Sequence, residues 1–248
     1  MSGHSKWSTI KRQKGAADAK RGQLFTKLAR EITVSAREGI PDIEVNARLR
    51  IAVQKARAEN MPKENIDRAI ERAKGGAGGD SLDEIYYEGY GPGGIAFMIL
   101  AMTDNRNRTV GEVRSAFTRG GGTLGADGSV AWMFDSVGQI VVNPGKLDPD
   151  EIALIAIDAG AMEFELEDDV VVVYTAPQEL HKVQEQLAYA GLEMESAELI
   201  MKPKDPISPE TDTAVKVIRL VERLEELDDV QTVYTNLHLT DDVLAQVS

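Results

Sequence analysis

Apolar positions recur at helical spacing through the first 75 residues and at strand spacing beyond residue 80. Over residues 16–37, Leu24, Phe25, Leu28, Ala29, Ile32 and Ala36 fall in one arc of a helix advancing about 100° per residue, so one face packs. Lys20, Lys27, Arg30 and Arg37 occupy a separate arc; Arg21 and Val34 are the two exceptions to the pattern. Gly39 and Pro41 stop this helix. A second helix over 45–59 carries Leu49, Ala52, Val53 and Ala56 at the i, i+3, i+4, i+7 spacing. Pro62 opens a third, with Ile66, Ala69, Ile70 and Ala73 at the same spacing. Three short helices with one apolar stripe each satisfy themselves by packing together, which predicts a bundle. The string GGAGGD over 75–80 then reads as a linker.

Beyond it, 85–90 and 95–103 read as strands joined by the turn string GPGG, the second apolar at both alternating sets and so buried on both faces. Residues 109–119 form a helix stopped by Gly120 to Gly122, and 130–134 a further strand. Next come strand 138–142, helix 149–159, strands 162–166 and 170–175, helix 177–190 and strand 197–201, the βαββαβ order of a ferredoxin-like unit. Helix 211–227 and strand 230–237 follow. Lifting out residues 136–204 leaves most of a second such unit, with 85–90 or the stretch near Leu124 as extra strands. The expected fold is α+β and multidomain: a three-helix bundle over 1–78, an α+β domain over 79–135 plus 205–248, and a βαββαβ domain over 136–204 inserted in it, with Pro203, Pro206 and Pro209 marking the return.

Charge divides the chain differently. The 248 residues carry a net −13, yet residues 1–80 hold 17 Lys/Arg against 10 Asp/Glu, and the remaining 168 hold 11 against 31. Residues 1–37 alone carry nine basic residues against Asp18 and Glu31. Asymmetry of this kind points to nucleic acid at the amino end, with the acidic remainder opposing indiscriminate binding to polyanions. Within that end, Lys6, Trp7, Lys11, Arg12, Lys14, Lys20, Arg21, Lys27 and Arg30 are the candidate contacts, because Lys and Arg neutralise phosphates and an indole stacks on an unpaired base. Trp7 could equally pin the arm onto the bundle. Lying opposite the apolar arc, Lys20, Lys27 and Arg30 are expected to be replaceable by Glu with loss of binding and no loss of fold.

Catalytic signals are sparse. Zero Cys excludes disulfides, thiol catalysis and Cys-based zinc sites. The three His are scattered, no hydrolase, zincin or phosphate-loop string occurs, and GYGPGG over 89–94 feeds a strand where a phosphate cradle would feed a helix. Glu163, Glu165 and Glu167 alternate along a strand and read as a solvated face, not a cation cage, so no metal or cofactor is expected. Asp104, Asn105, Arg106, Asn107 and Arg108, between a buried strand and a helix, form either a functional loop or an N-cap and turn. The longest apolar run is about half the ~20 residues of a membrane span, and no apolar segment follows the polar start, so a cytoplasmic protein without membrane partners is expected.

GHSKW at 3–7, DAKRGQLFTKLAREI at 18–32, YEGYGPGG at 87–94, DNRNRT at 104–109 and GADGSVAWMF at 125–134 together resemble the YebC/PmpR family, the group of the mitochondrial translational activator of cytochrome c oxidase. That resemblance implies three domains and a DNA-binding transcriptional regulator. Its mitochondrial branch, and bacterial members too, imply a ribosome-associated translation factor instead. No catalytic residues come with it. The expected function is therefore non-enzymatic regulation of gene expression through DNA or ribosomal RNA, with transcription machinery or the ribosome as partner. A hydrolase working in an acidic cleft is the rival from another class. Without a turn-and-recognition-helix signature, base-edge readout has no evident carrier, whereas recognition of RNA shape and phosphates needs none.

Overall fold

A computed structural model describes residues 18–74, 82–145, 147–167, 170–240 and 243. Helices α1 (Asp18–Glu38), α2 (Ala47–Ala58) and α3 (Lys63–Lys74) form the bundle. Its core joins Leu28, Ile32 and Ala36 to Leu49, Ala52, Val53 and Ala56 and to Ile66, Ala69 and Ile70, the apolar stripes read from periodicity. Asn46 fixes the α1–α2 turn: its Oδ1 accepts the Leu49 amide at 3.0 Å, and its Nδ2 donates to the Ser35 and Ile40 carbonyls at 2.8 and 2.9 Å.

Strands β1 (Asp83–Tyr90) and β2 (Ala96–Thr103) pair antiparallel around the Pro92–Gly94 turn, in which Gly93 and Gly94 take φ of 69° and 74°. Helix α4 (Arg106–Arg119) leads to the short strand β3 (Thr123–Leu124). The chain leaves at Met133 and returns at Pro203, passes through α7 (Thr211–Glu225) and enters β8 (Val230–Thr235), beyond which Leu237, Leu239 and Val243 join the same core. The sheet order is β3-β1-β2-β8, with β1–β3 and β2–β8 also antiparallel. This is the ferredoxin-like order with β1 standing where an unpermuted chain puts its third strand. Ile95, Phe97 and Ile99 meet Val113 and Phe117 of α4 and Val217, Val221 and Leu224 of α7, the Phe97 and Phe117 rings packing edge to face at 5.5 Å.

Residues 134–202 form the other compact unit. Strand β4 (Phe134–Asn143), helix α5 (Pro149–Asp158), strands β5 (Glu163–Glu167) and β6 (Val170–Thr175), helix α6 (Leu180–Tyr189) and strand β7 (Glu193–Pro203) give the order β5-β6-β4-β7, again ferredoxin-like.

Three expectations are corrected. Residues 130–134 are not a strand of the first sheet: Ala131–Met133 is a 3-10 turn, and Phe134 already belongs to β4. Helix α4 begins at Arg106, three residues early, because the Asn105 side chain caps it by accepting the Arg108 amide at 3.1 Å. The glutamates of β5 are not simply solvated. Lys202 Nζ bridges Glu163 at 2.7 Å and Glu165 at 3.1 Å while lying 3.6 Å above the Tyr174 ring, and Glu167 is buried.

Candidate nucleic-acid interface

Lys6, Trp7, Lys11, Arg12 and Lys14 lie outside the described residues. Lys20 sits in the first turn of α1, and Arg21 is exposed just after it. Lys27 and Arg30 are placed otherwise than expected. Gln23, Lys27, Arg30 and Val34 stand at i, i+4, i+7 and i+11, one stripe of α1, and this stripe docks on the end of α7. Gln23 Nε2 donates to the Glu226 carbonyl at 2.7 Å, Lys27 Nζ to that of Glu225 at 2.6 Å, and Arg30 to that of Asp228. Val34 is 2 % exposed, and α1 packs against β2. A helix end leaves its last carbonyls unpaired and carries the negative end of the dipole, so basic side chains are the natural cover. The expectation that Lys27 and Arg30 can be reversed in charge without harm to the fold fails for this reason.

Past α7, Asp229 is 2 % exposed and collects the surrounding groups. Its Oδ2 accepts Arg108 Nη2 and Thr109 Oγ1, both at 2.7 Å, and Thr103 Oγ1 at 3.1 Å, while Oδ1 faces Arg30 Nη1 at 3.0 Å. Burial pushes this carboxyl up, but the hydrogen bonds from Arg108, Thr109 and Thr103 and the Arg30 charge outweigh it, and its pKa lies below the ordinary aspartate value. One carboxylate thus ties α1, β2, α4 and β8 together.

The stretch 104–108 takes part in this joint. Asn105 caps α4, Arg108 also binds Asp104 at 2.7 Å, and Arg106 Nε donates to Asp83 at 2.7 Å. Asn107 is exposed. Of the two roles open for this loop, the structure exhibits the cap and turn.

At the other end of the same sheet a second buried carboxylate organises the GADGSVAWMF stretch. Glu88 accepts the amides of Gly128 and Val130 at 2.7 Å and of Ala131 at 2.8 Å. Burial alone would raise its pKa; the three amides reverse that and hold it below the usual glutamate range. Tyr90 Oη and Trp132 Nε1 both donate to the Ser129 carbonyl, at 2.9 and 3.1 Å, leaving the Trp132 ring 65 % exposed.

Neither Asp229 nor Glu88 stands out in the sequence. Each is one acid among many. Among the described residues no three His, Asp or Glu gather where they could hold a metal ion, and no helix is long and apolar enough to cross a membrane.

These joints coincide with the motifs that carry the family likeness. The pattern of the TACO1/YebC protein N-terminal domain matches residues 5–76, and that of the TACO1/YebC second and third domain matches residues 82–237. The chain belongs to the TACO1/YebC family. TACO1/YebC relatives bearing the name "probable transcriptional regulatory protein" include one from Roseiflexus castenholzii, 55% identical over 99% of this chain and 98% of that protein. Another, from Thermomicrobium roseum, is 53% identical over the full length of both. The crystal structure of a conserved hypothetical protein from Aquifex aeolicus, 46% identical, superposes with a TM-score of 0.84 over 92% of this chain and 94% of that one. The YebC-like architecture of a helical amino-terminal part followed by α+β sheets is therefore that of this chain, and the family is a regulatory one.

Proposed function

We propose that this protein is a non-enzymatic, cytoplasmic regulator of gene expression that binds nucleic acid through its basic amino-terminal segment, as a DNA-binding transcriptional regulator. The observation that carries the reading is charge: nine Lys/Arg against two acids in residues 1–37 of a chain that is acidic overall. The names of the relatives support transcription as the process. Because Lys27 and Arg30 are spent on α7 and Asp229, contact falls to Lys6, Lys11, Arg12, Lys14, Lys20 and Arg21, with Trp7 available to stack.

The same observation favours a second target. A helix whose middle basic residues face its own protein does not offer them to base edges in a major groove, so recognition rests on phosphates and shape, which suits ribosomal RNA. The experiment is sedimentation of the native protein from lysate through a sucrose gradient, beside a K6Q/K11Q/R12Q/K14Q variant. Wild type travelling with ribosomes, and the variant staying at the top, supports the ribosomal target. Wild type at the top, but shifting duplex DNA in a gel in a salt-sensitive manner that the variant loses, supports transcription. A wild-type protein that does neither refutes nucleic-acid binding.

A further inference from the structure

Residues 81–248 are acidic on average, yet α4 and α7 each carry a basic stripe outward, that of α7 lying beside the exposed Asp212 and Glu222. Arg108, Gly111, Ser115 and Arg119 stand at i, i+3, i+7 and i+11 along α4; Lys216, Arg219 and Arg223 stand at i, i+3 and i+7 along α7, all three exposed. Between the helices runs an open groove of about 310 Å³ walled by Arg108, Arg119 and Arg223, with Glu112 the one acid on its lining.

Two features set this groove apart from an ordinary solvated face. The first is uncompensated charge. Arg108 is fixed by Asp104 and Asp229, whereas Arg119 leans on a neutral group, its Nε and Nη2 donating to Ser115 Oγ at 3.2 and 2.8 Å, and Arg223 makes no ion pair among the described residues. The second is Gly111. Glycine inside a helix is destabilising relative to alanine, and proteins usually keep it there because a neighbouring element leaves no room for a side chain. Here a Cβ would meet nothing within 4 Å. No intramolecular contact requires the glycine, and what it leaves open is the groove floor.

We propose that this groove is a phosphodiester track for a single nucleic-acid strand, with Arg119 and Arg223 contacting phosphates and Gly111 letting the backbone approach α4. Arg108 and Arg119 are about 16 Å apart along the helix at 1.5 Å per residue, longer than one phosphate group and on the scale of several successive ones. The volume is that of a small-ligand cleft, enough for a short length of one backbone and not for a duplex. This inference deepens the reading of the chain as a nucleic-acid binder and rests on it.

The test uses the full chain and four proteins: wild type, R119Q/R223Q, G111L and the K6Q/K11Q/R12Q/K14Q arm variant. Affinity is measured for a 20-nucleotide single-stranded RNA, a DNA strand of the same sequence and a blunt DNA duplex, at several salt concentrations, together with Tm. R119Q/R223Q is expected to keep its Tm, to bind both strands at least about tenfold more weakly, and to flatten the salt slope by about 1.4, or 0.7 for each phosphate that is no longer neutralised. G111L keeps the charge but fills the floor. Its Tm is expected to rise by about 2–4 °C, because leucine is the better helix former, while strand affinity falls. Stability and binding moving in opposite directions is what a merely structural role for Gly111 does not produce. An RNA preference that disappears in R119Q/R223Q would assign the track to RNA; equal loss for both strands would assign it to the shared phosphodiester. Strand affinity unchanged in both groove variants, with the arm variant weakened, overturns the track and leaves the proposed function standing. A wild-type protein that binds none of the three nucleic acids overturns both.

Discussion

Replacing Asp229 by asparagine keeps the shape of the joint and removes its charge. The carboxamide oxygen in the place of Oδ2 still accepts from Thr103, Thr109 and Arg108, but the NH2 group in the place of Oδ1 points a donor at Arg30, itself a donor, and neither arginine keeps a counter-charge from this residue. Breaking a buried ion pair costs about 3–5 kcal/mol when the remaining charge has nowhere to go. Here Arg30 and Arg108 are 20 % and 42 % exposed and recover some hydration, so the expected loss is smaller, about 2–3 kcal/mol. At roughly 2–4 °C per kcal/mol for a chain of this size, Tm of the unit holding α1, α4, α7 and β8 falls by roughly 5–10 °C. Calorimetry resolves this transition from that of the unit over 134–202, which D229N leaves in place. Acid supplies the internal control. Asp229 has a depressed folded-state pKa, so its contribution is fully present above the ordinary aspartate range and is lost as pH falls through the folded value. The gap between wild type and D229N therefore begins to narrow below about pH 4, where aspartate in the unfolded chain takes up a proton, and closes only below the folded value, where the wild-type group is neutral too. Equal melting temperatures at pH 7, or a gap that persists unchanged into acid, would refute the account of Asp229 as a charged joint.

Glu88→Gln places an NH2 group among three amide donors and leaves at least one of Gly128, Val130 or Ala131 unpaired, at a cost of about 1–3 kcal/mol; Trp132 emission in a Trp7→Phe background should shift, and an unchanged spectrum and melt would count against it. K27E/R30E brings two negative charges to the carbonyl end of α7 and to Asp229, so the urea midpoint should fall by an amount worth about 2–4 kcal/mol, and a midpoint equal to wild type would mean that α1 does not dock there. Duplex binding through Lys6, Lys11, Arg12, Lys14, Lys20 and Arg21 should show a log–log salt slope no steeper than about −5; a slope near −7 would mean that Lys27 and Arg30 reach phosphates after all.

The apolar half of this fold is legible in the sequence and the polar half is not. Leu49, Ala52, Val53 and Ala56 stand at helical spacing and all four are buried; the unbroken apolar run of β2 predicts cover on both faces, and the strand has it. Both follow from local periodicity, which reports the face a segment must hide. It says nothing of what a polar face meets. Lys27 and Arg30 find their partners 198 or more positions away, largely on backbone carbonyls, and a helix end left open to receive them has no side-chain signature. Val34, the one apolar residue in the basic arc, is the trace of that docking: an isolated departure from an amphipathic stripe marks a second surface. The 104–108 stretch misleads about where α4 begins for a related reason, since Asn105 works as a cap through its side chain and the helix starts inside what reads as a polar loop.

Charge averages hide as much as they reveal. Residues 134–202 hold 15 acids against three bases, so this unit accounts for most of the excess that makes 81–248 look uniformly acidic. Within the other unit, Asp229 is buried and offset by Arg30 and Arg108, and a buried, paired acid contributes little to the field a partner feels. On α4 and α7 the exposed basic residues Arg106, Arg108, Arg114, Arg119, Lys216, Arg219 and Arg223 outnumber the exposed acids Glu112, Asp212 and Glu222, so the outward charge there differs from the sum over the sequence. A polyanion approaching this protein meets the exposed arginines and not the sequence average, which is why a net charge of −13 is no argument against nucleic acid as its ligand.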